Sequence, residues 1–266
     1  MQISVSRLRA YQSCSQRYFF RYVANEAPEF VPANLTFGSA IHHAICQYHQ
    51  SRNTIGSNGM YREFMRYWKA ITDDSKATQQ PIRYGKHSED DLLEKAYQLC
   101  VEYVGQFQEV VPNSPLDVEI FFDVPLFEPQ GGFGSLEHSL SGKIDLVANG
   151  SIYEFKTASR TPSQSEADAS IQLSAYAMAY AYLYDKPPDN LYLVALVKTS
   201  KPKVVTLSTR RWYKDYHVLV DMGMSVARAV EASLFYRNRE TQWGCHTCEY
   251  EGKCLGFQPH KEGSKQ

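Results

Sequence analysis

Residues 142–157 read GKIDLVANGSIYEFKT, two runs rich in branched and aromatic residues joined at Asn149-Gly150. Asn-Gly between two such runs predicts a tight β-hairpin. Side chains alternate faces along a strand, so Glu154 and Lys156 share one face while Tyr153 and Phe155 take the other. Pairing through the turn can bring Asp145 to the face of Glu154 and Lys156. Two carboxylates and an ammonium in runs that otherwise read as sheet core are costly to bury without a purpose. One reading is an ion-paired core, with Lys156 neutralising one acid and a backbone donor or water serving the other. The second is a divalent-metal site, in which paired carboxylate oxygens hold Mg²⁺ or Mn²⁺ and Lys156 orients or deprotonates a water. Oxygen ligands suit those hard ions, whereas zinc prefers His and Cys.

The pattern around the hairpin sets the fold class. After Pro115 the period is two through DVEIFFDVPLF, LSGKIDLVAN, SIYEFKTAS, NLYLVALVKTS and KVVTLST, with the turns PQGGFGS and ANGS implying consecutive antiparallel pairs. Between the third and fourth runs, SEADASIQLSAYAMAYAYLY reads as one long helix short of charge after Asp168, which implies a strand, helix, strand crossover. Upstream, Leu8, Tyr11, Cys14, Tyr18 and Tyr22 recur at helical steps behind Ser6 as N-cap, placing Cys14 on a buried stripe. A second helix is expected from about Gly38 until Ser57-Asn58-Gly59, then two more up to Val111 around a mobile polar link, DDSKATQQPIRYGKHS. A final helix runs from about Arg211 to Phe235, and KEGSKQ reads as a frayed tail. The expectation is an α/β (α+β) chain: a central mixed β-sheet flanked by helices, a mainly helical part over 1–111, a sheet and helix over 115–210, and a C-terminal helix and cysteine segment over 211–258. These form a single domain, 1–258, followed by a flexible tail, 259–266.

A formal charge of −1 gives no global attraction for nucleic acid, so any such partner must be held by a local patch or by metal. The N-terminal charges do not fit a secretory leader, and no run approaches the roughly 18 apolar residues of a membrane helix. The expected location is therefore cytoplasmic, with no membrane partner. There the six cysteines, at 14, 46, 100, 245, 248 and 254, are not expected to form a disulfide framework. Cys46 and Cys100 lie on apolar helical patterns and read as packed core. WGCHTCEYEGKCLGF spaces Cys245, Cys248 and Cys254 so that three thiolates can converge on one centre. A fourth ligand is missing locally: His246 or His260 would complete a zinc site, and a distant cysteine would complete a set of four thiolates, which suits an iron-sulfur cluster.

Asp145 followed by Glu154-Phe155-Lys156 resembles the signature of the PD-(D/E)xK nuclease superfamily, and the flanking features resemble its RecB-like iron-sulfur exonuclease branch, similar to CRISPR-associated and AddB/RecB-type nuclease domains. Gly38-Ser39-Ala40-Ile41-His42 matches that branch's Gly-x-x-x-His, and Gln172-Leu173-Ser174-Ala175-Tyr176 matches its Gln-x-x-x-Tyr. The resemblance implies a restriction-endonuclease-like sheet and a metal held by His42, Asp145, Glu154 and the Phe155 carbonyl. It also implies Lys156 beside the attacking water, and Gln172 and Tyr176 holding lysine, water or phosphate in place. It makes Cys14 the fourth ligand, with Cys245, Cys248 and Cys254, of a 4Fe-4S cluster, zinc being the alternative. Relatives usually carry proline after the first cysteine, and here Ser15 stands there; Ile144 replaces the proline before the first acid, and Glu119 is a loose counterpart of a further active-site acid. The implied activity is Mg²⁺- or Mn²⁺-dependent DNA hydrolysis leaving a 5′-phosphate and a 3′-hydroxyl. The chain would be an exonuclease preferring single strands or ends, serving recombination, repair or CRISPR adaptation, with a helicase or integrase as possible partner. The alternative is a non-catalytic DNA-binding or assembly subunit that keeps the fold. Arg7, Arg9, Arg17 and Arg21, with Lys198, Lys201, Lys203, Arg210 and Arg211, are candidates to line a strand path, with tyrosines as stacking surfaces.

Overall fold

The period-two runs form one sheet around a long central hairpin. The structure, a computed structural model, describes residues 1–107, 116–129, 132–240 and 244–256. Strand β1 is Gln2–Ser4; helices α1, Val5–Ser13, and α2, Ser15–Tyr18, follow, the latter running into a π-helical turn, Phe19–Val23. A two-residue strand β2, Val31–Pro32, leads to α3, Ala33–Gln50, α4, Gly56–Ala77, the short β3, Ile82–Arg83, and α5, Glu89–Phe107. Then come β4, Leu116–Phe127, β5, Gly134–Ala148, and β6, Ser151–Ala158. Helices α6, Gln164–Asp168, and α7, Ile171–Tyr184, cross to β7, Leu191–Val197, and β8, Lys203–Thr209, before α8, Tyr213–Glu231, and α9, Glu251–Gly256.

Among the described residues, β1, β5, β6, β7 and β8 lie in that order, with β4 on the other flank of β5. β6 and β7 are parallel, as the crossover requires, while β4, β5 and β6 are antiparallel to one another in turn, and β1 runs parallel to β5. The mixed sheet flanked by helices is the expected architecture. Asn149 (φ 51°) and Gly150 (φ 72°) both take the left-handed conformation that a tight primed hairpin turn needs. One core, built around Phe122, Ile144, Ile152 and Tyr176, lies between the sheet and α7 and α8; the other, built around Phe37, Phe64, Leu146 and Phe155, lies between the sheet and α3, α4 and α5.

Several boundaries differ from the periodicity. Ser4, not Ser6, caps α1, its hydroxyl accepting the Arg7 N–H. The first helix is broken at Cys14, whose extended backbone (φ −161°) turns it out of the helical stripe although its neighbours keep helical spacing on both sides. α3 starts before Gly38 and ends where Arg52 and Asn53 enter positive φ, so Ser57-Asn58-Gly59 lies inside α4. The polar link is shortened to a connection that contains β3, paired with β2. The crossover helix is two helices, each with a serine cap: Ser163 with Glu166 in a capping box, and Ser170 accepting the Leu173 N–H. Gln130 and Gly131 of the PQGGFGS turn, Val111 and the 259–266 tail lie outside the described residues.

Arg211 fixes the start of α7. Its guanidinium donates to the carbonyls of Ala167 (2.8 Å) and Ser170 (3.0 Å) and to the hydroxyls of Ser174 (2.8 Å) and Thr209 (2.9 Å). Hydrogen bonds to a charged group are among the stronger ones, and truncation strands their acceptors. Arg211→Ala is expected to lower stability by about 2–3 kcal/mol, read as a lower urea midpoint at unchanged slope.

Candidate active site

The site forms where the sheet parts. The β5–β6 ladder runs from Ala148–Ser151 to Leu146–Tyr153 and ends there. Past that point the Asp145 side chain replaces the lost ladder: its Oδ2 accepts the Phe155 N–H at 2.9 Å. Beside it, β4 changes face. Val118 packs into the α3–α5 core and Ile120 into the α7–α8 core, although residues two apart in a regular strand share a face. Their partners on β5, Leu146 and Ile144, split in the same way. Between them stand Glu119, at φ 56°, and Asp145. A left-handed glutamate is costly and persists only where surrounding packing demands it.

Glu154 follows on β6, 1 % exposed, on the α7 side of the sheet. Lys156, two residues on, brings Nζ to 3.9 Å from Glu154 Oε1. From α7, Tyr176 is buried, and Gln172, one turn earlier, donates to its hydroxyl at 2.9 Å. From α3, His42 Nδ1 lies 3.7 Å from Asp145 Oδ2. Gly38, one turn before His42, seats α3 tightly against β6: a Cβ there would stand 3.3 Å from Thr157 Oγ1. The structure thus gathers His42, Asp145, Glu154, Phe155, Lys156, Gln172 and Tyr176 from α3, β5, β6 and α7 into one place.

Electrostatics mark this place as short of positive charge. Burial pushes Asp145 up to about 6, against the pull of the Phe155 N–H. Burial, and then the Asp145 charge, hold Glu154 well above the usual carboxylate range. The two carboxyl groups are close enough to influence one another's proton, yet Glu154 Oε2 is buried with no hydrogen-bond donor in reach, so the contact is looser than a formed hydrogen bond. Burial lowers His42 and Lys156. A neutral imidazole beside Asp145 is a nitrogen donor, not a counter-ion. Lys156 alone does not offset two acids. An orphaned carboxylate oxygen and a second carboxylate, joined by one borderline imidazole nitrogen, form an oxygen-dominated donor set that fits Mg²⁺ or Mn²⁺. Among the described residues no three His, Cys, Asp or Glu side chains meet the spacing of a preformed metal site.

Three neighbours were not assigned to the site by sequence. Lys143 Nζ donates to Glu119 Oε1 at 3.0 Å, holding that acid at the rim. Cys46 is buried as expected of a core residue, but it lies one turn beyond His42, and burial followed by the Glu119 and Asp145 charges pushes its thiol up to about 12. Arg9, on α1, donates to Gln172 Oε1 at 3.0 Å. The helical step from His42 to Cys46 was a readable sign; the other two contacts join segments far apart in the chain and leave none.

At the far end, Cys14 is half-buried, Cys245 exposed, and Cys248 and Cys254 half-buried. Cys14 bears electrostatically on Cys248 and Cys254, and Cys245 on Cys254, but among the described residues no three of these thiols come together at metal-binding spacing. His260 lies outside the described residues. Hydrogen bonds already knit the N-terminal helices to this segment. Arg17 donates twice to Glu249 Oε1, at 2.8 and 3.1 Å. Ser15 Oγ accepts the Tyr236 N–H at 2.7 Å and donates to its carbonyl at 3.1 Å, bonds that proline at this position could not make.

A family model, that of the PD-(D/E)XK nuclease superfamily, matches residues 2–255. The chain belongs to the PD-(D/E)XK nuclease superfamily. Its fold is that of a Eubacterium rectale crystal structure titled "Putative exonuclease", at TM-score 0.60 and 12% identity over 99% of this chain and 91% of that one. A second solved structure, SSO0001, aligns at TM-score 0.36 and 10% identity over 94% of each chain, too distant to carry an argument. No curated protein matches the chain significantly. Members of a nuclease superfamily hydrolyse phosphodiester bonds, in general with divalent metal. Among the described residues no helix is long and apolar enough to cross a membrane.

A pH dependence follows from the raised acids. An acid whose folded value lies above its unfolded one holds its proton more tightly when folded, so stability falls as pH rises between the two values. For Asp145 that window runs from 3.8 to about 6, and Glu154 acts in the same direction. In chelator, Asp145→Asn is expected to be more stable than the native protein at pH 7.5, by on the order of 2 kcal/mol, and to converge with it near pH 4. Urea unfolding at the two pH values measures both differences.

Proposed function

We propose that the protein is a metal-dependent deoxyribonuclease of the RecB-like branch, acting as an exonuclease on single strands or free ends. The observation that carries this reading is Glu154 Oε2, a buried carboxylate oxygen with no hydrogen-bond partner, in a cluster where Glu154 Oε1 lies 3.9 Å from Lys156 Nζ and Asp145 Oδ2 lies 3.7 Å from His42 Nδ1. His42, Asp145, Glu154 and the Phe155 carbonyl would hold Mg²⁺ or Mn²⁺. When bound, the ion supplies an acidified water and neutralises charge on the scissile phosphate.

The chain's own residues do the rest. Asp145, fixed by the Phe155 N–H, and Glu154, fixed by burial, are set before any ligand arrives, so reorganisation costs little. Lys156, its proton loosened by burial, is suited to orient or accept a proton from the attacking water. Tyr176 and Gln172 brace Glu154 and Lys156 from α7. By the resemblance, products carry a 5′-phosphate and a 3′-hydroxyl, and the work belongs to recombination, repair or CRISPR adaptation in the cytoplasm, beside a helicase or integrase. The Eubacterium rectale neighbour's title supports exonuclease over endonuclease.

Cys14, Cys245, Cys248 and Cys254 would hold a 4Fe-4S cluster, zinc with His246 being the alternative. Its support is the break at Cys14, which takes this thiol out of the helix and into the electrostatic reach of Cys248 and Cys254. Its role would be structural. Residues 1–258 would then act as a single nuclease domain.

With Mg²⁺ or Mn²⁺ and end-labelled DNA, Lys156→Ala and Asp145→Ala are each expected to reduce cleavage by about a thousandfold or more while keeping the native circular dichroism spectrum. Cleavage at the native rate by both would overturn the reading, and DNA binding without cleavage by the native protein in every metal would favour the non-catalytic subunit. Protein purified without oxygen is expected to be brown, and Cys14→Ala to bleach it; a colourless protein holding one zinc would replace the cluster.

A further inference from the structure

The structure sorts the candidate cations. Arg17 is paired with Glu249; Arg7 lies over the Tyr22 ring at 5.1 Å and Arg21 over the same ring at 5.4 Å. Lys198 is buried against Asn34, and Arg211 is consumed by the start of α7. Arg9 is different. It is half-buried on α1, reaches across 163 positions of sequence to Gln172, and among the described residues has no carboxylate partner.

Its position relative to the acids matters. Arg9 Nη1 donates to Gln172 Oε1 at 3.0 Å, and Gln172 Nε2 donates to the Tyr176 hydroxyl at 2.9 Å. The amide thus holds the arginine with one end and the site's tyrosine with the other. The Arg9 charge bears on Lys156, and it does so as a repulsion. Arg9 therefore lies in the electrostatic neighbourhood of Lys156, whose own nearest acid is Glu154, 3.9 Å away. A guanidinium tied to the site by one neutral amide, with no carboxylate partner among the described residues, keeps N–H groups for an entering anion.

We propose that Arg9 is a phosphate-binding residue of the active site, its guanidinium held by Gln172 so that its free N–H groups take non-bridging oxygens of a nucleic-acid strand beside Lys156. This rests on the nuclease reading for its substrate class. Guanidinium suits the role because its planar fork donates to two phosphate oxygens while one nitrogen stays on Gln172. Carboxylates on one side would then face metal, and Arg9 with Lys156 would face phosphate. The Gln-x-x-x-Tyr turn of α7 becomes a bracket joining the two.

The test is binding of a fluorescent single-stranded oligonucleotide in Ca²⁺ over a salt series, with cleavage in Mg²⁺ or Mn²⁺ measured alongside. Each phosphate contact on a single strand adds about 0.7 to the slope of log K against log salt. Arg9→Ala and Arg9→Gln are both expected to lose about 0.7 of that slope, the second while keeping a donor for Gln172. Arg9→Lys is expected to restore the slope but remain about tenfold or more below native in kcat/KM, lacking the fork. Gln172→Ala, which keeps the charge, should keep the slope. An unchanged slope in Arg9→Gln overturns the proposal even where cleavage falls, since Arg9 would then act only by positioning Gln172; a native protein that binds no strand overturns it too. Failure of the native protein to cleave in any metal counts against the nuclease reading and leaves the slope comparison to decide Arg9.

Discussion

Everything in the site hangs on one hydrogen bond that a side chain makes where a backbone would be expected to make it. β5 and β6 are neighbours for three residue pairs and then part, leaving the Phe155 N–H without a ladder partner. A buried amide cannot stay unpaired cheaply. Asp145 supplies the acceptor, and in doing so its carboxylate is pinned at the mouth of the cleft between the strands. Had the ladder continued, Asp145 and Glu154 would be ordinary cross-strand neighbours with no room for a ligand between them.

The two faces of the sheet meet at the same place. The left-handed Glu119 moves β4 from one core to the other across a single residue, and β5 follows it. A helix from each layer can therefore reach the same carboxylates: α3 with His42, and α7 with Tyr176. In a flat sheet they would lie on opposite sides. The close seating of α3 at Gly38 against Thr157 sets how far His42 extends.

Much of this was legible. Period-two alternation and Asn149-Gly150 were enough to place Glu154 and Lys156 on one face, because both signals are local. The family signature singled out His42, Gln172 and Tyr176, which the structure brings to the neighbourhood of the hairpin acids. Cys14 was misplaced because Leu8, Tyr11, Tyr18 and Tyr22 keep helical phase through the break, and phase is all that a sequence pattern reports. Glu119 was legible as a loose counterpart of an active-site acid, but its left-handed backbone was not, since that is dictated by packing across two cores and not by its side chain. Four arginines in the first helices looked alike, and only tertiary contact separates Arg9 from a partner of Glu249.

The stitching of Ser15 to Tyr236 and of Arg17 to Glu249 joins positions 221 and 232 apart. On a ribosome adding about 5–20 residues per second, the N-terminal helices wait roughly 10–50 s for these partners to be made. Throughout that interval Tyr18 and Phe19 have no Phe235 to pack against, although all three rings meet in the finished protein. The first segment synthesised is thus among the last to settle, and a nascent chain exposes an aromatic surface of the kind that invites chaperones until its C-terminal segment emerges.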